Sequence, residues 1–249
     1  MILPRSQDAL HKSWLYRLLI NLLDDDLISQ QLCFKGGTCA TMLGWLDRFS
    51  VDLDFDLKPK TNKKALRKRL LSVYKSIGLT VKSESQKTLQ FFLKYPAAKQ
   101  SRNSLKLEIL GTGCKANEYQ AMWLQEISRY VICQTKETMA ANKLVAVMDR
   151  FNKHQSIAGR DIYDLHYFLT HGFGYKPAII KERTGLPAGK YLIKLKDFIS
   201  KKVTQKIIDQ DLNTLLPNRQ FQGIRKTLKQ EVLILLGDEI KRLAVPEKV

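Results

Sequence analysis

The sequence predicts an α+β protein: a lobe built on a mixed sheet over residues 1–134, then an all-helical lobe over residues 135–249. Between Leu32 and Gln134 several short runs alternate apolar and polar residues with period two, whereas from Thr135 onward apolar residues recur at three- and four-residue spacing. The segment SVDLDFDL, Ser50–Leu57, alternates strictly, so Val51, Leu53, Phe55 and Leu57 share one face and Asp52, Asp54 and Asp56 the other. Three acids in that pattern are unexpected in a chain with 42 Lys and Arg against 24 Asp and Glu, a net charge of +18.

In chain order, DALHKSWLYRLLINLL has helical periodicity, with Ser6 as the expected cap. LCF reads as a short strand, Gly36-Gly37 as a tight turn and TCATMLGWL as a short helix. After the acidic strand, a basic helix begins at Thr61, runs to about Ile77 and is ended by Gly78. LTVKSES, TLQFFLKY, SLKLEIL and SRYVICQ read as further strands. TKETMAANKLVAVMDRF and GRDIYDLHYFLTH then read as helices, followed by amphipathic segments to the C-terminus.

At 249 residues the chain can bury a sizeable core as one large domain or two small ones. Its positive charge favours a polyanion partner, nucleic acid first and a membrane surface second. No run approaches the ~20 apolar residues of a membrane span, and the N-terminus lacks the apolar core of a secretory signal. Cys33, Cys39, Cys114 and Cys133 have neither C-x-x-C spacing nor companion histidines, so reduced, buried thiols in a cytoplasmic protein are expected, without zinc. His154, His166 and His171 lack metal-ligand spacing as well.

Residues i and i+2 of a strand point the same way, so Asp52 and Asp54 present parallel carboxylates with Cα atoms about 7 Å apart. Such a pair repels unless a cation lies between them. Mg²⁺, with Mn²⁺ as the alternative, suits carboxylates completed by water and phosphate oxygens. The competing reading is a solvated acidic edge that deters strand pairing. Upstream, Gly36 and Gly37 allow close approach to a phosphate, the helix that follows offers free amides, and Thr38 adds a hydroxyl. Strand, G-G-T, helix, then D-x-D on the next strand sets a triphosphate-gripping turn beside a metal-binding pair. Nucleotidyl transfer also needs a third acid on a neighbouring strand, and Glu108 in SLKLEIL is the candidate; a surface Lys106–Glu108 pair is the alternative. Between Lys58 and Arg69 lie seven cations and no acid. Lys58, Lys63, Lys64, Arg67 and Lys68 are therefore expected to hold an acceptor's phosphate backbone beside the metal.

K-G-G-T at Lys35–Thr38, R-x-S-x-D-L-D-F at Arg48–Phe55, N-K-L-V-A-V-M-D-R at Asn142–Arg150 and R-D-I-Y-D-L at Arg160–Leu165 resemble, in order, the blocks of the AbiEii/AbiGii family. These are nucleotidyltransferase toxins of bacterial toxin–antitoxin and abortive-infection systems. The resemblance implies a polymerase-β-like nucleotidyltransferase lobe, with the helical lobe completing the active-site cleft. It implies that Lys35, Gly36, Gly37 and Thr38 line the phosphate turn, that Arg48 and Ser50 border the nucleotide phosphates, and that Asp52 and Asp54 bind Mg²⁺. Lys143 is implied to contact the phosphates and Asp164 to act in the active site, with Arg160 and Asp161 in the same block. Read without the family, Lys143 is a lysine snorkelling from an apolar helix face, and Asp161 caps a helix.

The implied reaction transfers a nucleoside monophosphate from an NTP, releasing pyrophosphate. The acceptor is expected to be RNA, the tRNA 3′ end foremost, with blocked translation and growth as the result and a cognate antitoxin as partner. The alternatives are a nucleotidyltransferase acting on a protein or small-molecule hydroxyl, and a non-enzymatic RNA- or partner-binding protein.

Overall fold

The computed structural model describes residues 1–98, 102–111 and 113–244. The chain divides into two compact units: residues Met1–Gly113 with Glu118–Thr135, and residues Cys114–Asn117 with the chain from Lys136 onward. The segment Cys114–Asn117 thus belongs with the helical unit although it lies inside the sheet region of the sequence. The reason is local: Glu182 accepts the amides of Lys115 at 2.7 Å and Ala116 at 2.9 Å.

The first unit opens with α1 (Asp8–Leu23) and α2 (Asp26–Ser29). Ser6 does not cap α1; Gln7 stands at that position without a capping side chain. There follow β1 (Leu32–Lys35), α3 (Gly36–Met42), β2 (Asp52–Leu57), α4 (Lys63–Ser76), β3 (Thr80–Glu84), β4 (Leu89–Lys94), β5 (Ser104–Gly111), β6 (Tyr119–Leu124) and β7 (Arg129–Gln134). The basic helix α4 is capped by Asn62, whose side chain accepts from Lys64 and Ala65, so it starts two residues after Thr61. Neither α2 nor β6 is foreseen from the sequence: α2 is one turn, and YQAMWL has too weak an alternation to read as a strand.

The strands form one seven-stranded sheet in the order β3-β4-β5-β2-β1-β7-β6. It is mixed: β2 runs parallel to β5 and β1 parallel to β7, while β1–β2, β3–β4, β4–β5 and β6–β7 are antiparallel. The register makes the faces unlike. Leu53, Leu107 and Phe91 align across β2, β5 and β4 on one face, with Phe55, Ile109 and Leu89 beside them. α4 packs on this apolar face, Tyr74 meeting Phe91 edge-on at 5.3 Å. α1 lies on the same side, with Trp14 stacked on Tyr95 at 5.6 Å. The other face carries Asp52, Asp54 and Asp56, with Lys106 and Glu108 of β5 and Gln90, Phe92 and Lys94 of β4.

The second unit contains α5 (Lys136–His154), α6 (Gly159–Thr170), α7 (Pro177–Thr184), α8 (Ala188–Lys202), α9 (Gln205–Leu212), α10 (Asn218–Ile224) and α11 (Leu228–Ala244). Their apolar stripes close one core that includes Leu144, Ile162, Leu192, Leu195 and Val232. Arg183 of α7 clasps α5, donating to Asn142 Oδ1 at 2.8 Å and pairing with Asp149.

Candidate active site

β1 runs directly into α3, so Gly36 and Gly37, where the chain turns, are the first residues of the helix. Gly36 has φ +80°, and a Cβ there would fall on the Asp54 carboxylate, 2.9 Å from the Asp54 Cβ. Glycine is required on both counts, for the left-handed backbone and for the contact. A Cβ on Gly37 would lie 2.8 Å from Ser50 Oγ and 2.9 Å from a guanidinium nitrogen of Arg48. The glycine turn and the acidic strand are therefore in direct contact.

Thr38 is fully buried. Its hydroxyl lies 2.5 Å from the Asp52 carbonyl and 2.9 Å from Ser50 Oγ. The carbonyl can only accept, so Thr38 gives its one proton there and receives from Ser50. Arg48 and Ser50 are buried too, and Arg48 donates to the Phe49 carbonyl at 3.0 Å. Thr38, Arg48 and Ser50 thus fasten the turn to the start of β2 with buried side chains.

Asp56 is likewise enclosed: Lys35 Nζ at 2.7 Å, Tyr119 Oη at 2.8 Å and Gln134 Nε2 at 2.7 Å all reach its carboxylate. Lys35 is therefore engaged with the third aspartate of the strand. Tyr119 and Gln134 have no sequence signal of their own. His11 is another missed residue. Its Nε2 donates to the Val51 carbonyl at 2.9 Å, immediately before Asp52, and its Nδ1 lies 2.8 Å from the Tyr95 hydroxyl. Burial holds the ring's pKa down at about 4.

Asp52 and Asp54 stand in register with Lys106 and Glu108 on β5. Glu108 accepts from Gln90 at 3.0 Å and pairs with Lys106 at 3.2 Å. Burial above all, then the facing charges of Asp52 and Glu108, push the Asp54 carboxyl up to about 6, against the opposing pull of Lys106 and Lys35. This excess of hard-oxygen negative charge is what a divalent cation would relieve. Among the described residues no group of three or more His, Cys, Asp or Glu is arranged to hold a metal ion. The two aspartates fit Mg²⁺ as a partial shell, to be completed by water and phosphate oxygens.

In the helical unit, Lys143 Nζ lies 2.6 Å from Asp164, which has no exposed surface, and Arg150 lies 2.9 Å from buried Asp161. Lys143 and Arg150 are two turns apart on α5, and Asp161 and Asp164 nearly one turn apart on α6, so two ion pairs join the helices. Asp161 is thus no helix cap; Ala158 stands at that position. Arg160 binds Asp211 through its amide at 3.1 Å and its guanidinium at 3.8 Å.

The basic segment does not lie beside the acids. α4 must bury Leu66, Leu70, Val73 and Tyr74, which holds it on the apolar face of the sheet and carries exposed Lys63, Lys64 and Lys68 to the side opposite Asp52. Arg67 is engaged internally: it lies over Phe91, pairs with Glu84, and donates to the carbonyls of Ser85 at 2.9 Å and Thr88 at 2.7 Å. Lys58 ends β2 with its amide on the Gln31 carbonyl at 2.9 Å.

Solved structures share this fold. A protein of Helicobacter pylori solved as a candidate nucleotidyltransferase superposes with a TM-score of 0.65 at 22% identity, over 96% of this chain and 97% of that one. JHP933 of Helicobacter pylori gives 0.60 at 23%, over 96% and 94%. The nucleotidyltransferase toxin MenT4 of Mycobacterium tuberculosis gives 0.53 at 17%, over 96% and 89%. No curated protein matches the sequence. Residues 17–232 match the family described as nucleotidyl transferase AbiEii toxin of type IV toxin–antitoxin systems, and that span contains the glycine turn, the acid pair and both ion-paired helices. The chain is a nucleotidyltransferase and belongs to the AbiEii toxin family.

Proposed function

We propose that this enzyme transfers a nucleoside monophosphate from an NTP to the 3′ end of an RNA, with tRNA as the favoured acceptor, and that a cognate antitoxin counters the resulting block of translation and growth. The observation that carries the transfer is the contact between Gly36 and the Asp54 carboxylate, which sets a phosphate-accepting helix start against the acid pair. The net charge of +18 favours a polyanionic acceptor over a small-molecule or protein hydroxyl.

In this reading the amides at the start of α3 receive the β- and γ-phosphates, while buried Thr38, Ser50 and Arg48 keep that turn in place. Asp52 and Asp54 hold Mg²⁺, which when bound supplies charge neutralisation at the reacting phosphate. Glu108, one strand away, is placed to take the proton of the attacking hydroxyl. Lys143 contributes positive charge toward the nucleotide phosphates, and Asp164, wholly buried, acts by orienting Lys143.

Incubation of the protein with total RNA and each labelled NTP, followed by sequencing of RNA 3′ ends, tests the acceptor. Nucleotides added to RNA ends, and lost in Asp52→Ala, are the expected result. Label recovered only in protein or small molecules overturns the RNA assignment.

A further inference from the structure

An in-line displacement fixes the side from which the acceptor must come. The attacking and leaving oxygens lie on opposite sides of the transferred phosphorus. The glycine turn that receives the leaving pyrophosphate follows β1, and β1 borders β2 on one side. With the pyrophosphate on the β1 side, an attacking hydroxyl opposite it would arrive over the other neighbour, β5, and beyond it β4.

That flank of the acid face has a distinct composition. Asp52 aligns with Lys106 of β5, and Lys106 with Phe92 of β4, so Phe92 shares the face and level of the acid pair two strands away. At a strand spacing of ~4.8 Å this is about 10 Å, the distance from a reacting 3′ oxygen to the far edge of its own base. Phe92 is 39% exposed, whereas Phe91 beside it is fully buried on the opposite face. This partly exposed aromatic lies on the face that carries the acids. It offers a flat face for a nucleobase, and stacking of that kind tolerates any base. Exposed Lys94, the next residue of β4 on the same face, supplies positive charge for the adjoining phosphate.

We propose that Phe92 stacks the terminal unpaired base of the RNA acceptor, with Lys94 on its backbone phosphate, so that the 3′ hydroxyl lies between Glu108 and the acid pair. This rests on the reading of RNA as acceptor, and it assigns the acceptor to β4 and β5, in place of the basic helix α4 on the opposite face.

The test uses the full chain and a single-stranded oligoribonucleotide ending in 2-aminopurine, whose fluorescence is quenched by stacking. Quenching is expected on binding to the native protein and to Phe92→Trp. In Phe92→Ala the quenching should vanish and affinity fall about tenfold, the loss that corresponds to ~1.4 kcal/mol of stacking, with the NTP KM unchanged. Lys94→Gln should lower the log–log salt slope of RNA binding by about 0.7. Undiminished quenching and affinity in Phe92→Ala overturn the assignment, as does a raised NTP KM with RNA affinity intact, which would put the incoming nucleotide on this flank. Should Phe92→Ala fail to fold by circular dichroism, unquenched binding to Phe92→Trp or an unchanged slope in Lys94→Gln overturns it equally. A native protein that uses a non-RNA acceptor and binds no oligonucleotide overturns the proposed function and this inference together, and is distinguishable from every other outcome.

Discussion

In the proposed mechanism, Asp54 is the residue at which stability and function oppose each other. It packs under Gly36 and faces the charges of Asp52 and Glu108, an arrangement that costs the metal-free fold and becomes favourable with a cation. In chelator, Asp54→Asn is expected to raise the thermal midpoint, by about 2–4 °C for each kcal/mol of repulsion relieved, while abolishing nucleotide transfer. Scanning calorimetry with EDTA and a transfer assay with Mg²⁺ check the two halves; a lowered midpoint would show that the carboxylate is held by favourable contacts. His11 sets an acid limit on the same structure. Its folded pKa of about 4 lies below the ordinary 6.5, so between those values the unfolded chain binds more protons and stability falls as pH falls. Stability from this ring is complete above about pH 6.5, and about 3 kcal/mol is lost by pH 4. Denaturant titrations at several pH values should show that slope, and His11→Gln should flatten it.

At the scale of elements, helices α5 and α6 are joined by Lys143–Asp164 and Arg150–Asp161, so the two helical blocks of the family pattern are coupled in space. Because Asp164 is wholly buried, Asp164→Ala strands the Lys143 ammonium and should cost about 3–5 kcal/mol. Lys143→Met combined with Asp164→Leu should recover most of that loss, since neither charge then remains buried alone. Urea denaturation of single and double variants reads this directly, and a double variant no more stable than Asp164→Ala would show that the pair is not the relevant unit. α4 shows an element whose place is set by its apolar stripe and not by its charges. Exchanging Lys63, Lys64 and Lys68 for Gln is expected to leave both the NTP KM and the transfer rate within about twofold, because that surface faces away from the acids. A large loss of rate would bring α4 back into the acceptor path.

For the whole molecule, the sheet unit and the helical unit are each built on a core of their own, but the chain passes between them at Gly113, Asn117 and Thr135. Glu182 holds the Cys114–Asn117 excursion by two amide hydrogen bonds. Glu182→Ala is therefore expected to speed hydrogen exchange at the amides of Lys115 and Ala116 while leaving the β5 amides protected. Equal protection in both proteins would place the anchor elsewhere. Among the described residues no helix is long and apolar enough to cross a membrane.

Local order in the sequence was enough for much of this protein. Strict alternation in Ser50–Leu57 determined that the three aspartates share a face, and helical spacing after Thr135 determined an all-helical second half. The four motif blocks determined the family. What the sequence left open depended on contacts between residues far apart in the chain. Alternation alone gave no partners for Asp56, which Lys35, Tyr119 and Gln134 enclose, because all three aspartates have the same local pattern. Nor could it tell that Thr38, Arg48 and Ser50 are buried, since a hydroxyl's partner is fixed only when β2 folds against α3. The basic segment is the clearest case. Its charge was plain, but the side on which it lies follows from burial of Leu66, Leu70, Val73 and Tyr74, and burying apolar surface outweighs the weak, screened attractions of exposed lysines. Phe91 and Phe92 are adjacent in sequence and alike in chemistry; only the sheet register sends one into the core and the other to the face that carries the acids.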